Sequence, residues 1–185
     1  MNLIHRLYCR SGRWRHHLND VLPWATDRVP LSGARVLELG SGPGLTTDWL
    51  ATRTGSLTAV EYDAADAANL QARRPDIAVI HADATNMPVP EAAFDVVVCF
   101  TMLHHLPSDQ AQDMLFAEAH RVLVPGGVFA GSDSKWGPLF AVAHVGDTMT
   151  LLDPTRLPKR LTSAGFIDVT VNVGPHGVRF RGRRP

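Results

Sequence analysis

Arg35-Val36-Leu37-Glu38-Leu39-Gly40-Ser41-Gly42-Pro43-Gly44-Leu45-Thr46-Thr47 decides how this chain is read. Val36 to Leu39 is a short apolar run, which reads as a strand buried on both faces. Gly40, Gly42 and Gly44 follow, with Pro43 among them, and a helical pattern then begins at Leu45. Strand, glycine turn and helix in that order form the first unit of a nucleotide-binding α/β fold. Glycine lets the backbone turn sharply and lets a ligand lie against it without meeting a Cβ. Glu38 is out of place in a buried strand, because an unpaired buried carboxylate is costly. It points to a polar ligand or a hydrogen-bond partner at the strand's carboxyl end.

Outward from this unit, strands and helices alternate. The pattern places strands at Ala34 to Leu39, Leu57 to Glu61, Ile77 to His81, Phe94 to Phe100 and Val128 to Gly131. Helices fall at about Gly44 to Arg53, Ala64 to Arg73 and Asp109 to Leu123. Pro88 and Pro90 make Thr85 to Ala92 a loop. Pro125-Gly126-Gly127 reads as a turn before the fifth strand. Asp153-Pro154 reads as an N-cap and first-turn proline for a helix from Thr155 to Ala164, closed by Gly165. Phe166 to Val173 and Val178 to Arg181 alternate around Gly174-Pro175-His176-Gly177 as a hairpin. This order implies an open, doubly wound, mostly parallel α/β sheet. Met1 to about Val29 reads as helical, which divides the chain into an N-terminal helical cap segment, 1–30, and a Rossmann-like domain, 31–185.

Composition narrows the function. The chain has 185 residues, 45% hydrophobic and 19% charged, with a formal net charge of zero. Neutrality offers little to a phosphate backbone, so no nucleic-acid partner is expected. Charge is uneven, however: Arg6, Arg10, Arg13 and Arg15 face a single acid before Val21, and Arg179, Arg181, Arg183 and Arg184 crowd the end. These read as a solvated helix face and a solvated tail, and the basic helix is a candidate for weak peripheral membrane contact. Cys9 and Cys99 form neither a disulfide framework nor a metal-ligand spacing, and Cys99 reads as a core hydrophobe. With no apolar signal core, a cytoplasmic location is the default.

A dinucleotide site wants G-x-G-x-x-G, but here the third position of the longer pattern is Leu45. An acid just before the loop favours a ligand bearing ammonium over one bearing phosphates. Glu61 ends the second strand, where a carboxylate accepts hydrogen bonds from ribose hydroxyls. Asp83, after the third strand, is placed to accept from an adenine amino group. Ribose, adenine, ammonium and no phosphate together describe S-adenosylmethionine.

On Val36 to Gly44, Val60-Glu61, Ala82-Asp83-Ala84, Phe94 to Val98, Leu103-His104-His105 and Leu123 to Gly127, the chain resembles a class I S-adenosylmethionine-dependent methyltransferase. Met87 to Pro90 and the His104-His105 pair resemble the small-molecule and quinone-biosynthesis branch. The resemblance implies seven strands in the order 3-2-1-4-5-7-6 with a C-terminal antiparallel hairpin. It also implies a small-molecule methyl acceptor and S-adenosylhomocysteine as product. Gly40, Ser41, Gly42 and Gly44 would pass beneath the cofactor, with Glu38 orienting its amino-acid part. Glu61 would hold the ribose, Tyr62 pack on adenine, and Asp83 and Ala84 meet the adenine edge. Phe100 and Thr101 would line the floor near the sulfonium. His104, His105 and His144 are candidate bases, with His144 and Asp147 a candidate pair. A nicotinamide-dependent oxidoreductase and a non-catalytic cofactor-binding module are the alternatives.

Overall fold

The computed structural model describes residues 11–137, 146–147 and 149–185. Helix α1 (Gly12–Ala25) precedes β1 (Arg35–Leu39), α2 (Leu45–Ala51), β2 (Ser56–Glu61), α3 (Ala64–Arg73) and β3 (Ala78–His81). Then come β4 (Phe94–Phe100), a 3-10 turn (Leu103–His105), α4 (Asp109–Val122) and β5 (Leu123–Asp133). Helix α5 (Leu157–Ser163) and the hairpin β6 (Ile167–Gly174) and β7 (Gly177–Arg183) complete the described elements. The strands form one sheet in the order 3-2-1-4-5-7-6, as expected. Strands β1 to β5 run parallel, and β7 runs antiparallel to both β5 and β6.

The strand sequences explain the layering. Side chains alternate across a strand. Val36, Val96, Val98 and Phe100 meet Leu18, Leu22 and Ala25 of α1 and Leu50 of α2 on one face. Leu37, Leu39, Val97 and Cys99 meet Leu115, Phe116 and Ala119 of α4 and Leu157 and Leu161 of α5 on the other. Glu38 shares the parity of Val36, so its carboxylate lies on the α1–α2 side. The Cys99 thiol is buried, and burial pushes its pKa well above the ordinary range. Cys9 lies outside the described residues.

Several expectations need correction. Residues 1–10 of the expected N-terminal helix lie outside the described residues. The described helix begins at Gly12, where the Ser11 hydroxyl accepts from Trp14 N–H at 3.2 Å. Its apolar stripe, Leu18, Val21, Leu22 and Ala25, is buried against the sheet. Pro125-Gly126-Gly127 is not a turn between elements. It is a bulge inside β5, between the Phe94–Leu123 and Val96–Val128 pairings. Gly126 there has φ +82° and donates to Arg184 O at 2.9 Å. Helix α5 starts at Leu157, with Pro158 rather than Pro154 in its first turn. Asp153 instead closes the preceding turn, its Oδ1 accepting from Thr155 N–H and Oγ1–H.

The terminal arginines are not a solvated tail either. Arg179 donates to Trp24 O at 2.5 Å, and Arg181 to Arg28 O at 3.1 Å. Arg183 pairs with Asp168 at 2.8 Å, and Arg184 reaches Arg121 O at 3.0 Å. Strand β7 and the residue after it therefore carry a row of guanidinium groups that reach the end of α1 and the segment past it, β6, and, through Arg184, the junction of α4 and β5. Among the described residues, no helix is long and apolar enough to cross a membrane.

Four phenylalanines lock β5, β7 and α4 together. Phe129 lies 5.1 Å from Phe180, 5.4 Å from Phe166 and 6.0 Å from Phe116, centroid to centroid. All four are at most 2% exposed. Phe129→Ala is expected to lower unfolding stability by about 3–5 kcal/mol through lost transfer and a residual cavity. Urea unfolding checks it, and a loss under about 1 kcal/mol would refute this account of the core.

Candidate active site

Register brings the candidate residues to one edge. Leu39 pairs with Val60 on β2 and with Cys99 on β4, so Gly40, Glu61 and Phe100 stand one step further at the same level. Glu61 pairs with His81, which puts Asp83 just beyond. Strands lie about 4.8 Å apart, so β3 to β4 span roughly 14 Å of carboxyl edge. That width suits a nucleoside with an amino-acid arm.

At the centre, Glu38 is 1% exposed. Thr46 Oγ1–H donates to its Oε1, and Thr47 Oγ1–H donates to its Oε2 at 2.6 Å. Both threonines sit in the first turn of α2. Burial pushes the Glu38 pKa up to about 7, the two hydroxyls pull against that, and the Glu61 and Asp48 charges add to it.

The glycine loop is bounded on two sides. Gly40, Gly42 and Gly44 have φ +73°, +51° and +85°, a region that side chains disfavour. A Cβ on Gly40 would run into Met102, and one on Gly44 into Arg73 and Leu70. A Cβ on Gly42 would meet nothing within 4 Å, so the loop is open there. Ser41 is 3% exposed, and its hydroxyl has no hydrogen-bond partner. A buried unsatisfied hydroxyl costs about 1–3 kcal/mol, which a polar ligand atom would relieve.

Glu61 is 8% exposed and held from two sides. Its Oε2 accepts from Gly42 N–H at 2.6 Å and its Oε1 from Asp63 N–H at 2.9 Å. A carboxylate has about four acceptor positions, so each oxygen keeps one for a ligand hydroxyl. Asp83 Oδ1 takes Thr85 N–H and Oγ1–H, both at 2.8 Å, in a turn that aims the carboxylate at the edge. Ala84 is buried behind it, whereas the Tyr62 side chain is 74% exposed.

At the end of β4, Phe100 is buried and Thr101 has φ +51°. A β-branched residue rarely adopts that conformation. Thr101 N–H donates to Ser132 O, and its hydroxyl to Phe100 O, each at 2.8 Å. Strained residues of this kind cluster at ligand sites.

The histidines divide. His104 is 2% exposed, with Nδ1 at 2.5 Å from Asp133 Oδ1 and its backbone N–H at 3.1 Å from Oδ2. Ser134 N–H donates to the same carboxylate at 2.6 Å. A carboxylate only accepts here, so Nδ1 carries the proton. His105 is partly exposed, its ring centroid 4.1 Å from that of His104. His144 lies outside the described residues; among the described residues His104 pairs with Asp133. Sequence reasoning missed Thr46 and Thr47, although hydroxyls eight and nine residues after a buried acid, on the next helix's first turn, are a usable signal. It also missed Met102 and Arg73, which only the packing around the glycines exposes.

The Glu38 environment has a pH consequence. Its folded pKa is raised, so the folded chain holds a proton that the unfolded chain has released above pH ~4.5. The stabilisation is full below that pH and is lost as pH rises through about 7. Glu38→Gln removes the titration. Unfolding curves at pH 5 and pH 8 are expected to show the variant gaining on wild type by up to about 3 kcal/mol at the higher pH. A pH-independent difference would rule it out.

Comparison with known proteins places the chain by sequence and fold. A family model described as a methyltransferase domain matches residues 37–131, just over half of the chain. A probable S-adenosylmethionine-dependent methyltransferase of Mycobacterium tuberculosis is 32% identical over 157 residues, covering 79% of this chain and 53% of its own. The ubiquinone biosynthesis O-methyltransferase of Pseudomonas putida is 30% identical over 154 residues, covering 78% of this chain and 65% of its own. A solved S-adenosylmethionine-dependent methyltransferase from Mesorhizobium loti shares the fold, with a TM-score of 0.73 at 18% identity over 91% of this chain and 98% of its own. The chain spans between about a third and two thirds of the length of the curated relatives it matches. With the family model running from β1 through the glycine loop to β5, the chain belongs to the class I S-adenosylmethionine-dependent methyltransferase family.

Proposed function

We propose that this chain binds S-adenosylmethionine along the carboxyl edge of β3, β2, β1 and β4 and transfers its methyl group to a small-molecule acceptor. The observation that carries the reading is the fork of Glu61, fixed by the N–H groups of Gly42 and Asp63 with one acceptor position left on each oxygen. A vicinal diol fits such a fork. Gly40 and Gly42 pass beneath the ligand, and Ser41 Oγ offers it a hydrogen bond. Asp83 and Ala84 meet the adenine edge, with Tyr62 free to fold over it. Glu38 faces the ammonium side, and Phe100 and Thr101 form the floor. Glu38 and Glu61 flank the inner side of the loop, so a pyrophosphate there would meet two carboxylates. This disfavours a dinucleotide.

The bound cofactor supplies an activated methyl on a sulfonium, which leaves as a neutral thioether when the acceptor attacks in line. The residues of the chain therefore align and desolvate rather than activate. On the acceptor side, the Leu103–His105 turn follows β4 and is tied to the end of β5 through Asp133. Asp133 pins His104, and His104 supports the His105 ring through a tilted contact, the rings 45° apart. We assign His105 the proton released by a hydroxyl or amine acceptor, and His104 a positioning role.

Two measurements test this. Titration with S-adenosylhomocysteine should show binding and titration with NADH none; Glu61→Ala should weaken the first by about 10²-fold through two lost charge-assisted hydrogen bonds. NADH binding in place of S-adenosylhomocysteine would overturn the reading. With labelled S-adenosylmethionine and the small-molecule fraction of a cell extract, His105→Ala should lower turnover by about 10²-fold or more at unchanged cofactor affinity. Cofactor binding without labelled product would make the chain a binding module instead.

A further inference from the structure

Gly44 has no room for a side chain because α3 has already filled the space. The Arg73 guanidinium and the Leu70 methyl group occupy the position of a Gly44 Cβ. Arg73 Nη2 donates to Pro43 O at 3.2 Å and to Gly44 O at 3.4 Å. Its Nη1 reaches both Asp48 oxygens, at 2.8 and 2.7 Å. Asp48 lies in the first turn of α2, just past the loop, and also takes Arg74 at 2.8 Å. One planar fork thus bridges the last residues of the glycine loop and the helix it feeds, a geometry that lysine cannot reproduce.

We propose that Arg73 is a positioning residue for the cofactor. It clamps the outer side of the glycine loop while Glu61 holds the inner side through Gly42. The clamp keeps Gly40, Gly42 and Gly44 in their left-handed conformations before the ligand arrives, so that ordering the loop does not subtract from affinity. The inference rests on the reading above, in which this loop lies under the amino-acid arm and the nucleoside is held by Glu61 and Asp83.

Arg73 contributes little to the core. Its side chain is 44% exposed and that of Asp48 38%, and exposed ion pairs add little to global stability. It borders an open cleft of about 400 Å³ between α1, α2 and α3, lined also by Arg15, Leu45 and Asn69. Truncation there admits water rather than leaving a void.

The test compares wild type with Arg73→Ala and Arg73→Lys, using S-adenosylhomocysteine and 5′-methylthioadenosine, which lacks the amino-acid arm. Calorimetry should show Arg73→Ala binding S-adenosylhomocysteine about fivefold to tenfold more weakly, 5′-methylthioadenosine within about twofold of wild type, and Arg73→Lys between the two. The thermal midpoint should fall by no more than about 3 °C. In the ligand-free protein, amide exchange at residues 40–47 should speed up in Arg73→Ala. Equal weakening of both ligands, no weakening of either, or unchanged loop exchange each overturns the proposal. Wild type that binds neither ligand sinks the methyltransferase reading and the cofactor role with it, and the exchange result then decides whether the clamp exists at all.

Discussion

A carboxylate buried one residue before the end of β1 sets the geometry of everything around it. Glu38 would be an uncompensated charge on the α1–α2 face of β1 were it not for the Thr46 and Thr47 hydroxyls. To supply them, the first turn of α2 must sit directly over the end of β1. The chain then has only Gly40 to Gly44 in which to reverse from strand to helix. Three left-handed residues in five are the result. The glycine pattern is thus the backbone consequence of satisfying one side chain, as well as an opening for a ligand.

The same arrangement separates charge across the loop. Glu38 and Glu61 lie on its inner side, and Arg73 and Arg74 gather Asp48 on the outer side. A chain with zero formal charge can therefore present an acidic lining to a cationic ligand without a net field over its surface. The acids are dissimilar in their surroundings. Glu61 is held by backbone N–H groups, whereas Glu38 leans on neutral hydroxyls in a dry site and has its pKa pushed up to about 7.

Much of this was legible in the residues. Strand β4 and helix α3 fall where the apolar run and the helical period place them, because both patterns are local. The Glu38–glycine–Glu61 spacing located the edge, since strand, turn and helix follow one another directly. What stayed hidden depends on register. His104 and Asp133 are 29 residues apart and meet only because Phe100 pairs with Ser132. Pro125-Gly126-Gly127 looks like a turn until Arg184 supplies the partner that makes it a bulge. The terminal arginines look like a solvated tail because their acceptors are backbone carbonyls of distant segments, which composition does not display. Arg73 was read only as the end of a helix.

Those carbonyls carry one more implication. Trp24 O and Arg28 O, at the end of α1 and just past it, are held by side chains of β7, more than 150 positions later. During synthesis, β1 to β4 and the glycine loop emerge well before the strand that fastens this segment. Helix α1 can then only rest on the sheet through Leu18, Leu22 and Ala25, an apolar contact with no directional lock. The ribosome therefore releases a nucleotide-edge half whose roof is still unlatched, and the final hairpin, sealing the sheet's far margin, also bolts that roof in place.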